Sequence, residues 1–286
     1  MRLDALAQAV DAGQAAKIEA ARSYLGGSTI GDPCARRLWY GFRGYGHKAF
    51  PPRVRRIFQF GHMIEDYAIE LLRGASGVTV LDRDPTTGKQ FEAVLFGGHA
   101  KDHFDGLIKA PSILPTEGWH LLEIKSMNDK LWRECEKHGV AKSHPKYWVQ
   151  MQKYMASETC RSRGVGYAVF YAINKNDCSI LFELVPFEPM QWLILESTAR
   201  TVIESAEPAT KVASTPNWFQ CKDCEHRPYC WDGAPITPRD CRQCRFSVAD
   251  TVNGGWVCGN PDSPHGGKHN PVLCNFFGPH DGHSRT

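Results

Sequence analysis

The run Leu121-Leu122-Glu123-Ile124-Lys125 sets two charges inside an apolar stretch. Leu121, Leu122 and Ile124 read as a buried strand, and strand residues two apart point to one side. Glu123 and Lys125 therefore project together from a segment that belongs in the core. A buried carboxylate costs free energy unless something compensates it. One account is an ion pair at the surface, since Glu-x-Lys arises by chance about once in a chain of this composition. The other is a cation site, in which the carboxylate holds the metal and the lysine stabilises developing charge or positions a water.

Outward from this strand, more polar residues fall into place. His103-Phe104-Asp105-Gly106 puts a second carboxylate at a strand start beside a glycine. The spacing of Phe60, Met63, Ile64, Tyr67, Ala68, Leu71 and Leu72 predicts a helix over Phe60–Arg73 that carries Glu65 and His62. Gln150 and Tyr154 stand one turn apart on a helix predicted over Pro145–Glu158. His99 and His103 read as hydrogen-bonding neighbours rather than ligands.

Strand patterns occur near Val78–Leu81, Gln90–Phe96, His103–Ile108 and His120–Lys125. Helices are predicted over residues 3–24, Cys34–Tyr40, Asn128–His138 and Pro189–Ser205. Val165–Ile173 and Ser179–Pro186 read as a hairpin. Helices flank a run of strands without strict alternation, so the class is α/β with a mixed sheet. The 286 residues are 42% hydrophobic and 23% charged, with net charge +3. These values exclude wholesale disorder and a globally basic coat. No apolar run is long enough for a membrane span, and acidic residues Asp4, Asp11 and Glu19 speak against a signal peptide. The expected compartment is the cytoplasm, or host cytoplasm for a phage-encoded protein. Any nucleic-acid contact has to come from a local patch. Pro33 to Ile64 contains no acid, and Arg36, Arg37, Arg43, Lys48, Arg53, Arg55 and Arg56 alternate with aromatic residues. This is either a phosphate-tracking surface with stacking rings or a helix pair with a solvated basic face.

The ordered set Gly61-x-x-x-Glu65, Asp105-Gly106, Glu123-x-Lys125 and Gln150-x-x-x-Tyr154 resembles the PD-(D/E)XK nuclease superfamily. It is most similar to the RecB-like exonuclease branch, which includes CRISPR-associated and phage exonucleases. The resemblance spans about residues 28–230 and lies in the set, not in any one motif. It implies a restriction-endonuclease-like mixed sheet flanked by helices. It also implies a metal-dependent DNA exonuclease of recombination, repair, phage or CRISPR-related processing. Asp105 and Glu123 would hold Mg²⁺ or Mn²⁺, Lys125 would assist the attacking water, and Gln150 and Tyr154 would steady site and substrate. Relatives often carry a histidine on the preceding helix. Glu65 is the favoured ligand there and His62 the second choice. The implied partner is DNA, single-stranded or an end-bearing duplex. Polarity and oligomeric state are not implied. A non-catalytic DNA- or protein-binding module on the same fold is the alternative.

Seven of eleven cysteines lie from residue 221 onward. Without a secretory pattern, clustered Cys-x-x-Cys pairs read as metal ligands rather than disulfides. Cys221, Cys224 and Cys230 supply three thiolates, and Cys34 is the early cysteine. One early cysteine with a late Cys-x-x-Cys-x₅-Cys resembles the 4Fe–4S staple of the same branch; Zn²⁺ on these four thiols is the other option. Cys241, Cys244, Cys258 and Cys274 fit a closed structural Zn²⁺ site, with His265, His269, His280 and His283 as substitute ligands. The expected organisation is an N-terminal helix at 1–27, a nuclease core at 28–230 and a small Cys-rich, zinc-binding region at 231–286. That last region could also meet a protein partner.

Overall fold

A computed structural model describes residues 2–16, 22–46, 50–236, 241–262 and 278. In chain order the elements begin with α1 (Asp4–Ala15), α2 (Gly27–Ile30), α3 (Ala35–Phe42), α4 (Pro52–Gly74), β1 (Thr79–Leu81), β2 (Glu92–Leu95) and β3 (Ala100–His103). Next come β4 (Gly106–Lys109), β5 (His120–Met127), α5 (Asp129–His138), α6 (Val140–Ser143), α7 (Pro145–Met155) and α8 (Glu158–Arg161). The chain continues through β6 (Tyr167–Asn174), β7 (Ile180–Pro186), α9 (Pro189–Glu204), α10 (Arg227–Trp231), β8 (Ser247–Ala249) and β9 (Trp256–Cys258). No helix among the described residues is long and apolar enough to cross a membrane.

The chain divides into two compact units that interleave along the sequence, where the expected segments are contiguous. The first comprises Met1–Ala20, Lys48–Glu92 and His103–Phe187. Its five-stranded sheet has the order β1-β4-β5-β6-β7. β5 and β6 are parallel, while the other neighbours are antiparallel, so the sheet is mixed. The β5–β6 crossover carries α5 to α8, as a parallel pair requires. The strand expected over His103–Ile108 is broken at Phe104 and Asp105, which leaves Asp105 outside the ladder between β3 and β4. The core joins Ala68, Ile69 and Leu72 of α4 to Leu122 and Ile124 of β5 and to Val169, Tyr171 and Ile173 of β6.

Helix α4 begins eight residues earlier than expected, with Pro52 in its first turn, where a proline is tolerated. Its apolar stripe also divides. Ala68, Ile69 and Leu72 are buried, while Phe60, Met63, Tyr67 and Leu71 are exposed.

The second unit comprises Ala21–His47, Ala93–Asp102 and Glu188–Thr286. Here the basic, aromatic stretch proves to be core in its first half. Trp39, Tyr40, Phe42 and Tyr45 are buried, as are Arg36 and Arg43. Arg43 is fully enclosed, donating to the carbonyls of Ser205, Arg242 and Ser247 at 2.9, 3.1 and 2.8 Å. A guanidinium committed to carbonyls is not available to phosphates, so the phosphate-tracking reading fails for this half. The region after Pro208 contains α10 and the β8–β9 hairpin, elements too short to leave a periodic pattern in the sequence.

Leu122 lies wholly inside the first unit's core. Leu122→Ala is expected to lower the free energy of unfolding by about 2–5 kcal/mol, measured by denaturant titration.

Candidate active site

Strand alternation gives β5 two characters. Leu122 and Ile124 enter the core shared with α4. Glu123 and Lys125 project from the other face, where α7 contributes Tyr147. Glu123 is 1% exposed. Its Oε1 forms an ion pair with Lys125 Nζ, while Oε2 has no hydrogen-bond partner. Lys125 Nζ also donates to the Ile124 carbonyl at 3.1 Å.

Asp105 joins this pair because its Oδ2 accepts from the Ile124 amide at 2.6 Å. Gly106, the next residue, has no room for a side chain: a Cβ there would stand 2.5 Å from the Leu81 carbonyl oxygen. Glu65 faces the same charges from α4, with Oε2 held 3.1 Å from His62 Nδ1. The His62 side chain is 69% exposed and that of Glu65 28%, so Glu65 is the better enclosed of the two expected candidates. Gln150 Nε2 donates to the Tyr154 hydroxyl at 2.6 Å. Tyr154 is buried, with its ring 5.7 Å from that of Phe104, the residue before Asp105. Gln150 and Tyr154 thus brace the segment that presents Asp105. His103 is exposed. His99 belongs to the second unit, packed against the rings of Phe42 and Trp256.

Burial, and then the Asp105 and Glu65 charges, push the Glu123 carboxyl above the ordinary carboxylate range against the pull of Lys125. Asp105 is raised for the same first reason, desolvation, with Glu65 adding to it. Burial alone would neutralise Lys125, but Glu123 and Asp105 hold its ammonium charged and raise its pKa. Among the described residues, no three or more His, Cys, Asp or Glu side chains are gathered closely enough to hold a metal ion as they stand. The protein's donors here are therefore two carboxylates, Asp105 and Glu123. That set suits Mg²⁺, which keeps several waters and takes one or two carboxylates. The unpartnered Oε2 of Glu123 fits a cation as well.

Cys34, Cys221, Cys224 and Cys230 line one open pocket in the second unit, with Arg36 and Arg37 beside them. Cys34 caps α3, its sulfur accepting from the Arg37 amide at 3.4 Å. Cys221 and Cys224 are set by a turn in which the Cys224 amide donates to the Cys221 carbonyl at 3.1 Å, and Cys230 sits in α10. Burial pushes the Cys34 and Cys224 thiols upward. Cys241, Cys244 and Cys258 flank the β8–β9 hairpin, with the Cys244 amide donating to the Cys241 carbonyl at 3.0 Å. Cys274, His265, His269, His280 and His283 lie outside the described residues.

The stretch Tyr147-Trp148-Val149-Gln150-x-x-x-Tyr154 also carries the resemblance, but the resemblance assigns Tyr147 no role. Its ring centroid stands 5.5 Å from Lys125 Nζ. The available signal was spacing: Tyr147, Gln150 and Tyr154 fall at i, i+3 and i+7 of one helix.

Two outcomes follow from the charges. A bound Mn²⁺ is expected to raise the melting temperature of the wild type, and Glu123→Gln or Asp105→Asn to abolish that rise. In metal-free protein, the folded pKa of Glu123 exceeds its unfolded value. Its contribution to stability is therefore present at acid pH and lost as pH climbs through the raised pKa. Between about pH 6 and about pH 9 the wild type should lose more stability than Glu123→Gln, as denaturant titrations at each pH will read.

No family model matches the chain, and no curated protein does. Among solved structures, an alkaline exonuclease from Laribacter hongkongensis is similar at 17% identity and a TM-score of 0.37, over 68% of this chain and 90% of that one. Its complex with dAMP gives the same figures. SSO0001 is similar at 13% identity and a TM-score of 0.39, over 81% of this chain and 97% of that one. Likenesses of this size assign the chain to no family.

Proposed function

We propose that this chain is a Mg²⁺- or Mn²⁺-dependent deoxyribonuclease that hydrolyses phosphodiester bonds at DNA ends, on a restriction-endonuclease-like sheet. One observation carries the reading. A carboxylate with an unpartnered oxygen, Glu123, is buried beside Asp105 and a charged lysine, Lys125. A structural ion pair would leave Asp105 and the Gln150–Tyr154 brace without a purpose.

Asp105 and Glu123 would hold the cation, and Glu65 would add negative charge from α4. A bound Mg²⁺ or Mn²⁺ supplies Lewis acidity toward a phosphoryl oxygen and lowers the pKa of a coordinated water. Lys125 places a fixed positive charge beside the carboxylates, where charge develops on the phosphate during attack. Gln150 and Tyr154 act through Phe104 by keeping Asp105 in place.

The four-thiol cavity is the second part of the proposal. A cubane cluster needs four thiolates set around a volume, whereas one tetrahedral Zn²⁺ needs them drawn to a point at about 2.3 Å. Four cysteines lining one pocket suit either group, and 4Fe–4S is preferred over Zn²⁺ on the resemblance alone. A Zn²⁺ on Cys241, Cys244 and Cys258 with a further ligand is kept as a separate proposal for the tail.

The deciding experiment incubates end-labelled single- and double-stranded DNA with the protein and Mg²⁺ or Mn²⁺. Cleavage should occur, stop with chelator, and fall at least about 10²-fold in Glu123→Ala and Lys125→Ala, with both variants folded. Binding without cleavage under every condition would leave the non-catalytic module as the reading. Anaerobically purified protein should be brown and contain iron and inorganic sulfide, and Cys34→Ser, Cys221→Ser, Cys224→Ser and Cys230→Ser should each lose iron. Zinc in place of iron would overturn the cluster and keep the staple.

A further inference from the structure

Lys125 carries a compact ammonium with three donors on a flexible four-carbon stem. Two of its directions are taken, by Glu123 Oε1 and by the Ile124 carbonyl. The third surrounding is aromatic: Tyr147 of α7, with its ring centroid 5.5 Å from Nζ. A ring face attracts an ammonium at this range.

The ring is itself immobilised. His144 stacks on it at 5.4 Å with planes 6° apart, and Phe170 of β6 lies 6.3 Å away at 27°. Phe170 is also the residue paired with Glu123 across the β5–β6 ladder. His144 is fixed in turn, with Nδ1 2.8 Å from Ser143 Oγ, which donates to the Gly139 carbonyl at 2.6 Å. The serine's proton is committed to Gly139, so Nδ1 of His144 is the donor of that pair. Burial lowers the His144 pKa, which keeps the stacked imidazole neutral so that it does not compete for the ring as a second cation. Lys125 therefore meets a ring packed against two others.

We propose that Tyr147 is a positioning residue for Lys125, its ring holding the ammonium beside the carboxylates when Glu123 gives up its share of the ion pair to a bound cation. The inference rests on the nuclease reading of the site. A lysine held only by Glu123 would lose its anchor at the moment the site is loaded. A packed ring supplies an anchor that does not depend on Glu123.

The test has a spectral arm and a kinetic arm. In folded, metal-free protein, the ε-methylene protons of Lys125, assigned by their absence in Lys125→Met, should lie upfield through the ring current. They should remain so in Tyr147→Phe and return to ordinary positions in Tyr147→Leu. In the cleavage assay, Tyr147→Phe should stay within about twofold of wild type. Tyr147→Leu should lower kcat about tenfold, with KM and Mn²⁺ affinity unchanged, and should add nothing in a Lys125→Met background. If Tyr147→Leu fails to fold, a series of fluorinated phenylalanines at position 147 keeps the shape while weakening the ring's negative face, and kcat should fall with each added fluorine. Lysine protons at ordinary positions in the wild type overturn the contact. Fluorination without effect, or losses in Tyr147→Leu and Lys125→Met that simply add, overturn the role. Were the wild type to cleave nothing, the nuclease reading would fall and with it the catalytic role, while the spectral arm would still decide the contact.

Discussion

Everything in the first unit answers to one constraint, the burial of Glu123 and Lys125 in a central strand. An ionised pair deep in a fold repays its desolvation only when its geometry is held closely. β5 meets that demand by alternation: Leu122 and Ile124 anchor one face in the core with α4, and the charged pair occupies the other. A slip of one residue would send both charges into the aliphatic layer and both aliphatic residues out of it. The hydrophobic face thus fixes the register, and the register delivers Glu123 opposite Phe170 and Lys125 opposite Ala172.

That arrangement leaves negative charge in excess. The Asp105 and Glu65 charges raise the cost of ionising Glu123, Glu65 raises that of Asp105, and Lys125 opposes them. A sequence selected for stability alone would place an amide or a methyl group at one of these positions, because buried carboxylates that repel are destabilising. Their coexistence in one unit fits the proposed site, whose balance a bound cation would complete. Asp105 leaves the ladder to reach the Ile124 amide, and the residue after it is a glycine whose backbone lies too close to the Leu81 carbonyl for any side chain.

Much of this was legible in the sequence because it rests on local rules. Period-two alternation placed Glu123 with Lys125, helical spacing placed Gln150 with Tyr154, and the β6–β7 hairpin and α9 matched their patterns closely. What escaped was decided by tertiary partners. Of the expected helical stripe the sheet takes Ala68 and Leu72, with Ile69 beside them, while Phe60, Met63, Tyr67 and Leu71 stay exposed. The arginines between Pro33 and Tyr45 read as a charged surface, but a guanidinium is well suited to collecting carbonyls from chain ends, and Arg43 does so. Tyr147 stands in a recognisable motif, but its contact was not legible because it depends on a lysine on another element.

The second unit shows why burying an arginine is worth its desolvation. Its chain arrives in three separate segments, and few regular elements tie them. Arg43, from the first, draws in the carbonyls of Ser205, Arg242 and Ser247 from the third. Phe42, His99 and Trp256, one from each segment, meet with ring centroids 5.0 to 5.6 Å apart. The four-thiol cavity repeats the same pattern, joining Cys34 of the first segment to Cys221, Cys224 and Cys230 of the third. Closing so long a loop carries an entropic cost that grows slowly with its length, and a tie that binds its two ends recovers most where the loop is longest. A polar knot, a ring cluster and a set of thiols therefore all span the widest gaps in the chain, and of the three only the thiols could be tightened further by a bound metal.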